Sequence, residues 1–162
     1  MRNFKMLFAF VLLTNFAFAQ SPLEEGGTQL NAGVGASGWG IPVYIGLDYG
    51  IGHDFTLGGQ VSFRGDDYDY NYRQTAIGIG GNANYHFNRI LSIPSKFDFY
   101  AGASLTYFIW NYEGGKHPDN TSLGLGLQVG GRYFFTNSFG VNLELGGGTG
   151  TSDAKIGVTF KL

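Results

Sequence analysis

Large apolar residues occupy every second position over long stretches of this chain, with small or polar residues between them. From residue 43 to residue 51, odd positions hold Val, Ile, Leu, Tyr and Ile, whereas even positions hold Tyr, Gly, Asp and Gly. Successive side chains of a β-strand point to opposite faces, so this pattern predicts a strand with one apolar face. The same period predicts eight strands, at residues 29–36, 43–51, 55–64, 77–87, 97–110, 123–135, 139–146 and 155–162.

The composition of the two faces indicates which of them meets lipid. The large apolar set contains no charged residue on any predicted strand, as expected where a charge facing the bilayer midplane costs about 2–4 kcal/mol. The other set is mostly Gly, Ser, Thr, Asn and Gln, which would form a poor surface for a soluble barrel. The pattern therefore favours an all-β fold, a closed antiparallel eight-stranded transmembrane β-barrel. A soluble barrel such as a lipocalin is the alternative, although Gly38-Trp39-Gly40 does not fit the lipocalin G-x-W signature.

The lengths of the connections support the membrane interpretation. The connections at 52–54 and 136–138 are tight, whereas those at 65–74, 111–121 and 147–153 are longer. Short periplasmic turns and longer extracellular loops alternate in this way in outer-membrane barrels. The connection at 88–96 falls on the short side of this alternation and is not short.

Aromatic residues collect at the strand ends next to the short turns. Such a belt is typical of a membrane interface, where amphipathic rings prefer to lie. The predicted periplasmic-side aromatic belt comprises Tyr49, Phe55, Tyr85, Phe87, Phe97, Phe99, Tyr133, Phe135, Phe139 and Phe160.

The first nineteen residues have the form of a cleavable secretory signal peptide. Arg2 and Lys5 precede an apolar run from Met6 that ends in the A-x-A pattern Ala17-Phe18-Ala19. The run is too short to cross a bilayer as a helix. We therefore expect a signal peptide at 1–19, a short periplasmic segment at 20–27 and the barrel at 28–162, with both termini in the periplasm.

Composition and charge narrow the function further. The chain has 28 Gly, no Cys and a formal net charge of −2. The absence of Cys excludes a disulfide framework, and the charge argues against nucleic acid as a partner. No nucleophile motif, metal-ligand motif or phosphate loop occurs, so neither catalysis nor a cofactor or metal is predicted.

Charged residues at the alternate strand positions that point inward predict a polar network in the lumen. An eight-stranded barrel has an interior just wide enough for side chains, and buried charges there must pair or remain hydrated. The candidates are Asp48, Arg64, Asp98, Arg132, Glu144 and Lys155. Arg64-Gly65-Asp66 is also the tripeptide read by integrins and lies at the mouth of a predicted extracellular loop, so the alternatives are an adhesion motif and an inward rim position for Arg64.

With eight alternating strands behind a signal peptide, the chain resembles small outer-membrane barrels of the OmpX and OmpA transmembrane type. Its C-terminal residues Ile156, Val158, Phe160 and Leu162 look like the terminal assembly signal of such proteins, although that signal usually ends in Phe and here ends in Leu. The resemblance implies a monomer in contact with outer-membrane lipid and lipopolysaccharide. It also implies biogenesis through the secretion translocon, periplasmic chaperones and the barrel assembly machinery.

The sequence leaves three functions to be weighed. The leading one is a non-enzymatic outer-membrane protein with a structural or surface-display role and a lumen mostly plugged by polar and aromatic side chains. The second is a narrow porin-like channel for small polar solutes or ions. The third is a lipid-modifying barrel enzyme, although none of the three His residues, His53, His86 and His117, has a Ser two positions further on as the barrel lipid A deacylases do.

Overall fold

Eight β-strands make up the regular structure in this computed structural model, which describes residues 23–38, 40–69, 72–113, 120–149 and 153–162. The strands are β1 Thr28–Ser37, β2 Val43–Gly52, β3 Phe55–Asp69, β4 Tyr72–His86, β5 Phe97–Glu113, β6 Asn120–Phe134, β7 Phe139–Gly148 and β8 Asp153–Lys161. No helix that is long and apolar enough to cross a membrane occurs in this part of the chain. The predicted signal peptide, His117 and Trp39 lie outside the described residues.

The strands close into an antiparallel barrel in sequence order, with β1 paired to β8 from Gln29↔Lys161 to Ser37↔Asp153. Every strand therefore has two hydrogen-bonded neighbours. A closed ladder leaves no sheet edge in hydrocarbon, which is the condition for crossing a bilayer with strands. The predicted fold class, a closed antiparallel eight-stranded barrel, is confirmed.

The two faces of the barrel are assigned as the alternation predicts. Outward side chains are large, apolar and exposed, with Leu127 73%, Leu123 63% and Leu143 55% accessible. Inward side chains are polar and buried, and Asp98 and His86 are 0% accessible. The apolar atoms thus form the outer surface and the polar atoms form the core, the reverse of a soluble barrel.

The strands are longer than predicted at one end of the barrel. We call this the upper end, and the end with the turns at 52–54 and 135–138 the lower end. Residues 65–69 and 72–74 were expected in a loop, but they continue β3 and β4, with Gly65 paired to Thr75 and Asp67 to Arg73. β5 and β6 likewise extend to Glu113 and from Asn120. The prediction failed because these extensions carry polar residues on both faces, so no apolar alternation marks them.

The long connection at 87–96 is fastened to the lower end by Asn88, whose side chain is fully buried. Its amide nitrogen donates to the carbonyl of Phe97, and its amide oxygen accepts from the backbone nitrogen of Phe99. Arg89 in the same connection pairs with Asp54 of the β2–β3 turn at 2.7 Å. This departure from a short turn is thus an ordered structure tied to the neighbouring turn.

We expect Asn88→Ala to lower the free energy of unfolding by about 1–2 kcal/mol, because two part-buried backbone groups lose their side-chain partner. The measurement is equilibrium urea unfolding of the folded protein in detergent micelles. Ser95→Ala is the matched control, since Ser95 is exposed in the same connection, and it is expected to change stability little. Equal stability of the two variants would show that Asn88 does not fasten the connection.

Candidate functional site: the lumen network

Arg132 of β6 lies at the centre of the buried polar network in the lower half of the lumen. Its Nη2 donates to Oδ2 of Asp48 at 2.6 Å and its Nη1 donates to Oδ2 of Asp98 at 2.8 Å. The guanidinium carbon lies 4.4 Å from the ring centroid of Tyr100. A guanidinium presents several donors in one plane and can hold two carboxylates at once. Arg132 therefore joins β2, β5 and β6 across the barrel interior.

The network continues below Asp98 through two side chains. Nδ1 of His86 lies 2.7 Å from Oδ1 of Asp98, and Nε2 of His86 lies 3.0 Å from Oγ1 of Thr56. A hydroxyl, an imidazole and a carboxylate in this order also occur in hydrolase active sites. Here all three side chains are at most 1% accessible, and neither Thr56 nor His86 lines the three cavities that lie higher in the lumen. The arrangement therefore fills the lower lumen and connects β3, β4 and β5.

A second cluster lies higher in the lumen, around Glu144 of β7. Nζ of Lys155 donates to Oε1 of Glu144 at 2.9 Å, and the hydroxyl of Tyr100 donates to Oε2 at 2.8 Å. Lys155 and Glu144 are directly opposite in the β7–β8 register. Because Tyr100 also contacts Arg132, it connects the upper cluster to the lower one.

The structure divides the six predicted lumen residues into three groups. Asp48, Asp98 and Arg132 form the lower cluster, and Glu144 and Lys155 form the upper one. Arg64 is 5% accessible and lies higher on the wall of β3. Several side chains that hydrogen-bond into these clusters were not among the six candidates, including Asn31, Thr56, His86 and Tyr100. The sequence signal for them was their position on the inward face, but the alternation alone does not show which side chains meet across the lumen.

Three cavities follow one another down the lumen and become smaller toward the lower end. The upper one has a volume of about 70 Å³ and is lined by Gln60, Arg64, Ser104 and Lys155 among others. A cavity of about 40 Å³ shares much of this wall. The lowest, of about 20 Å³, reaches Arg132. Beneath it, the described inward side chains are packed to 0% accessibility at Gln29, His86, Asp98 and Thr159.

The aromatic belt residues meet in ring contacts around the lower end of the outer face. Ring centroids lie 5.0 Å apart for Phe55 and Tyr85, 5.1 Å for Phe97 and Tyr133, and 4.8 Å for Phe139 and Phe160. The other belt residues in such contacts are Phe87, Phe99 and Phe135. Tyr49 is exposed on the same end of β2.

Two further predicted sites can be located in the structure. Arg64 of the Arg64-Gly65-Asp66 tripeptide is buried inside the barrel, so its side chain is not displayed at the surface, and the side chain of Asp66 lies outside the described residues. The C-terminal residues Ile156 and Phe160 are exposed on the outer face of β8, the strand that closes the barrel against β1, and Leu162 follows it. No group of three or more His, Asp or Glu suited to a metal ion occurs among the described residues.

Comparison with known proteins supports the architecture and gives no family. No protein-family model and no curated protein matches the chain. Among solved structures, the N-terminal β-barrel domain of Pseudomonas aeruginosa OprF aligns with a TM-score of 0.67 at 16% identity, covering 85% of this chain and 98% of that one. Neisserial surface protein A aligns with a TM-score of 0.62 at 18% identity, covering 84% and 95%. A de novo designed transmembrane β-barrel aligns with a TM-score of 0.58 at 13% identity, covering 86% and 98%.

At these identities the likeness shows the fold alone. One of the matching structures is a de novo designed barrel, and the similarity to it concerns the architecture alone. The chain thus has the fold of small eight-stranded outer-membrane barrels, with an apolar outer face and a polar interior. Its function has to be argued from its own side chains.

Proposed function

We propose that the protein is an integral outer-membrane barrel with a structural or surface-display role, without enzymatic activity, whose lumen is plugged in its lower half. The observation that carries the proposal is the Arg132 cluster. One guanidinium holds two carboxylates from strands on different sides of the lumen, in a layer whose side chains are at most 5% accessible. A layer packed in this way leaves no path for a solute, so the barrel wall and its loops are the parts available for a role.

The outer face supports the proposed location. Its exposed residues, such as Leu125, Leu127 and Val129, would meet hydrocarbon, and the belt would lie at the lower interface. In this orientation the lower end faces the periplasm, together with both termini. The partners proposed are outer-membrane lipid and lipopolysaccharide, with the secretion translocon, periplasmic chaperones and the barrel assembly machinery acting during biogenesis, and the protein is expected to be a monomer.

The sealed position of the Thr56, His86 and Asp98 side chains supports the non-enzymatic assignment, because a hydrolytic step needs access to the nucleophile. The alternative of a narrow channel is favoured by one specific observation, the three cavities that descend from Arg64 to Arg132. A rearrangement of the Arg132 layer would be needed to extend them to the lower end.

Single-channel recording in planar bilayers tests the proposal. Purified folded protein is expected to give no stable unitary conductance, because the Arg132 layer closes the lumen. The protein must first be shown to be folded, by the difference in gel mobility between heated and unheated samples. Stable unitary currents from such a preparation would contradict the plugged barrel and favour the channel.

A further inference from the structure

The chain turns under the lower end of the barrel just before β1 begins. The backbone nitrogen of Gly27 donates to the carbonyl of Glu24 at 2.9 Å, and Gly26 has a φ of +82°, as a glycine in a tight turn can adopt. Two further backbone hydrogen bonds of 2.9 Å join this turn to Gly50 of β2, one from Gly26 to the carbonyl of Gly50 and one from Gly50 to the carbonyl of Gly27. We call residues 23–27 the N-terminal cap.

The cap lies on the lumen side of the barrel wall. Gly50 is buried at an inward position of β2, two residues below Asp48. A Cβ built at Gly50 would overlap the carbonyl oxygen of Glu24, and the three atoms nearest to it all belong to Leu23 and Glu24. A Cβ built at Gly27 would lie 3.0 Å from Cδ1 of Leu23. The two glycines therefore leave the space that the cap occupies.

The side chains of the cap divide into an apolar inward one and charged outward ones. Leu23 is 5% accessible although it precedes the first strand, whereas Glu24 and Glu25 are exposed. Leucine is commonly buried and glutamate is mostly exposed in folded proteins. This division is expected of a segment that covers an opening and meets water on its outer side.

The cap lies next to the arrangement of Thr56, His86 and Asp98. Gly50 and Thr56 are directly opposite in the β2–β3 register, and residues in such a pair share one face of the sheet. Thr56 is 1% accessible, and its Oγ1 is bonded to Nε2 of His86. The backbone of Glu24, which lies over Gly50, is therefore beside the hydroxyl end of this arrangement.

We propose that the N-terminal cap closes the lower mouth of the lumen, shields Thr56, His86 and Asp98 from solvent at that end, and can open while the barrel remains folded. Two hydrogen bonds to Gly50 and the burial of Leu23 fasten it, whereas every strand of the barrel has two hydrogen-bonded neighbours. Segments fastened by few contacts open locally at a much lower free energy than the whole fold. The cap lies below the Arg132 layer and is a separate closure, so bilayer recording tests the layer and chemical labelling tests the cap.

Thiol labelling tests whether the cap is seated. The chain has no Cys, so Leu23→Cys and Glu25→Cys each supply a single thiol to the folded protein in detergent micelles. A water-soluble maleimide should react with Leu23→Cys about tenfold or more slowly than with Glu25→Cys, because a buried thiol reacts only while the cap is open. Equal rates would show that the cap is not seated, and the proposal would be wrong.

Gly50→Ala should displace the cap without changing the sequence of the cap itself, because the added methyl group takes the position of the Glu24 carbonyl. Combined with Leu23→Cys, it should raise the labelling rate to that of Glu25→Cys. Gly126→Ala is the matched control, since it adds the same methyl group to an inward glycine whose nearest neighbour is a flexible side chain, and it should leave the rate unchanged. Each variant is first shown to be folded by its heat-dependent gel mobility. Equal labelling with Gly50→Ala and Gly126→Ala would contradict a cap held over Gly50.

Modification of histidine by diethyl pyrocarbonate tests the shielding. His53 is exposed in the β2–β3 turn and serves as the internal reference, whereas His86 is 0% accessible. Leu23→Asp places a charge at a buried position and should expel the cap. Mass spectrometry of the modified peptides should then show the rate at His86, relative to His53, raised by about tenfold, and Gly50→Ala should have the same effect. If His86 is as protected in both folded variants as in the wild type, the cap does not shield it and the proposal is wrong.

Discussion

Replacing Arg132 by Met is expected to lower the free energy of unfolding by about 3–5 kcal/mol, or to prevent folding altogether. The substitution leaves Asp48 and Asp98 buried at 3% and 0% accessibility without their shared cation. An uncompensated buried charge is far more costly than the loss of a surface pair. Equilibrium urea unfolding in micelles, followed by tryptophan fluorescence, measures the change.

Two controls separate this effect from a general loss of positive charge. Lys96→Met removes one positive charge from an exposed position in the connection at the lower end, and it should change the free energy of unfolding by about 0.5 kcal/mol or less. The triple variant Arg132→Met with Asp48→Asn and Asp98→Asn removes the stranded charges and should recover a large part of the lost stability. If the triple variant is no more stable than Arg132→Met alone, packing around the guanidinium, and not charge pairing, holds the layer together.

The fold was predictable because a barrel wall in lipid repeats one simple rule. Every strand must present apolar side chains outward and small or polar ones inward, so the period of two is legible even in single strands. The alternation ends at residues such as Gly65 and Asp67, where the paired strands no longer have an apolar face. Beyond that point the sequence pattern does not distinguish a strand from a loop.

The lumen network was predictable only where two partners face each other on neighbouring strands. Asp98 and Arg132 are directly opposite in the β5–β6 register, as are Glu144 and Lys155 in β7–β8. These pairs follow once the register of each pair of neighbouring strands is known. Asp48 belongs to β2, which is not a neighbour of β6, so its contact with Arg132 depends on the stagger of the whole barrel.

The other network members were missed for the reason that applies to Asp48: their partners depend on the geometry of the closed barrel. His86, Thr56 and Tyr100 have inward parity, yet a polar inward residue can bond to its own strand, to a neighbour or across the lumen. The distance across the lumen is set by strand tilt and by the bulk of the other inward side chains. The alternation along a strand predicts which face a residue occupies, whereas its hydrogen-bond partner depends on the geometry of the closed barrel.

Leu127→Arg is the second substitution from which we expect a large effect, a loss of about 2–4 kcal/mol, because the charge would face hydrocarbon in the middle of β6. Leu127 is 73% accessible on the outer face. Gly126→Ser, one residue away, should lower the free energy of unfolding much less, since the added hydroxyl points into a polar lumen. The added Cβ would lie 2.7 Å from Oγ of Ser104, so only that flexible side chain has to rotate. Urea unfolding in lipid vesicles compares the two variants.

Labelling decides the face without relying on stability. The chain has no Cys, so a single Cys can be placed at position 127 or 126 and tagged with a fluorophore. The tag at 127 should be quenched by lipid-soluble quenchers, and an untagged Cys there should resist aqueous thiol reagents. At position 126 the lipid quencher should have little effect, because β6 itself separates the lumen from the acyl chains. Quenching at 126 but not at 127 would invert the two faces, and a barrel with its apolar side chains inside could not cross the bilayer.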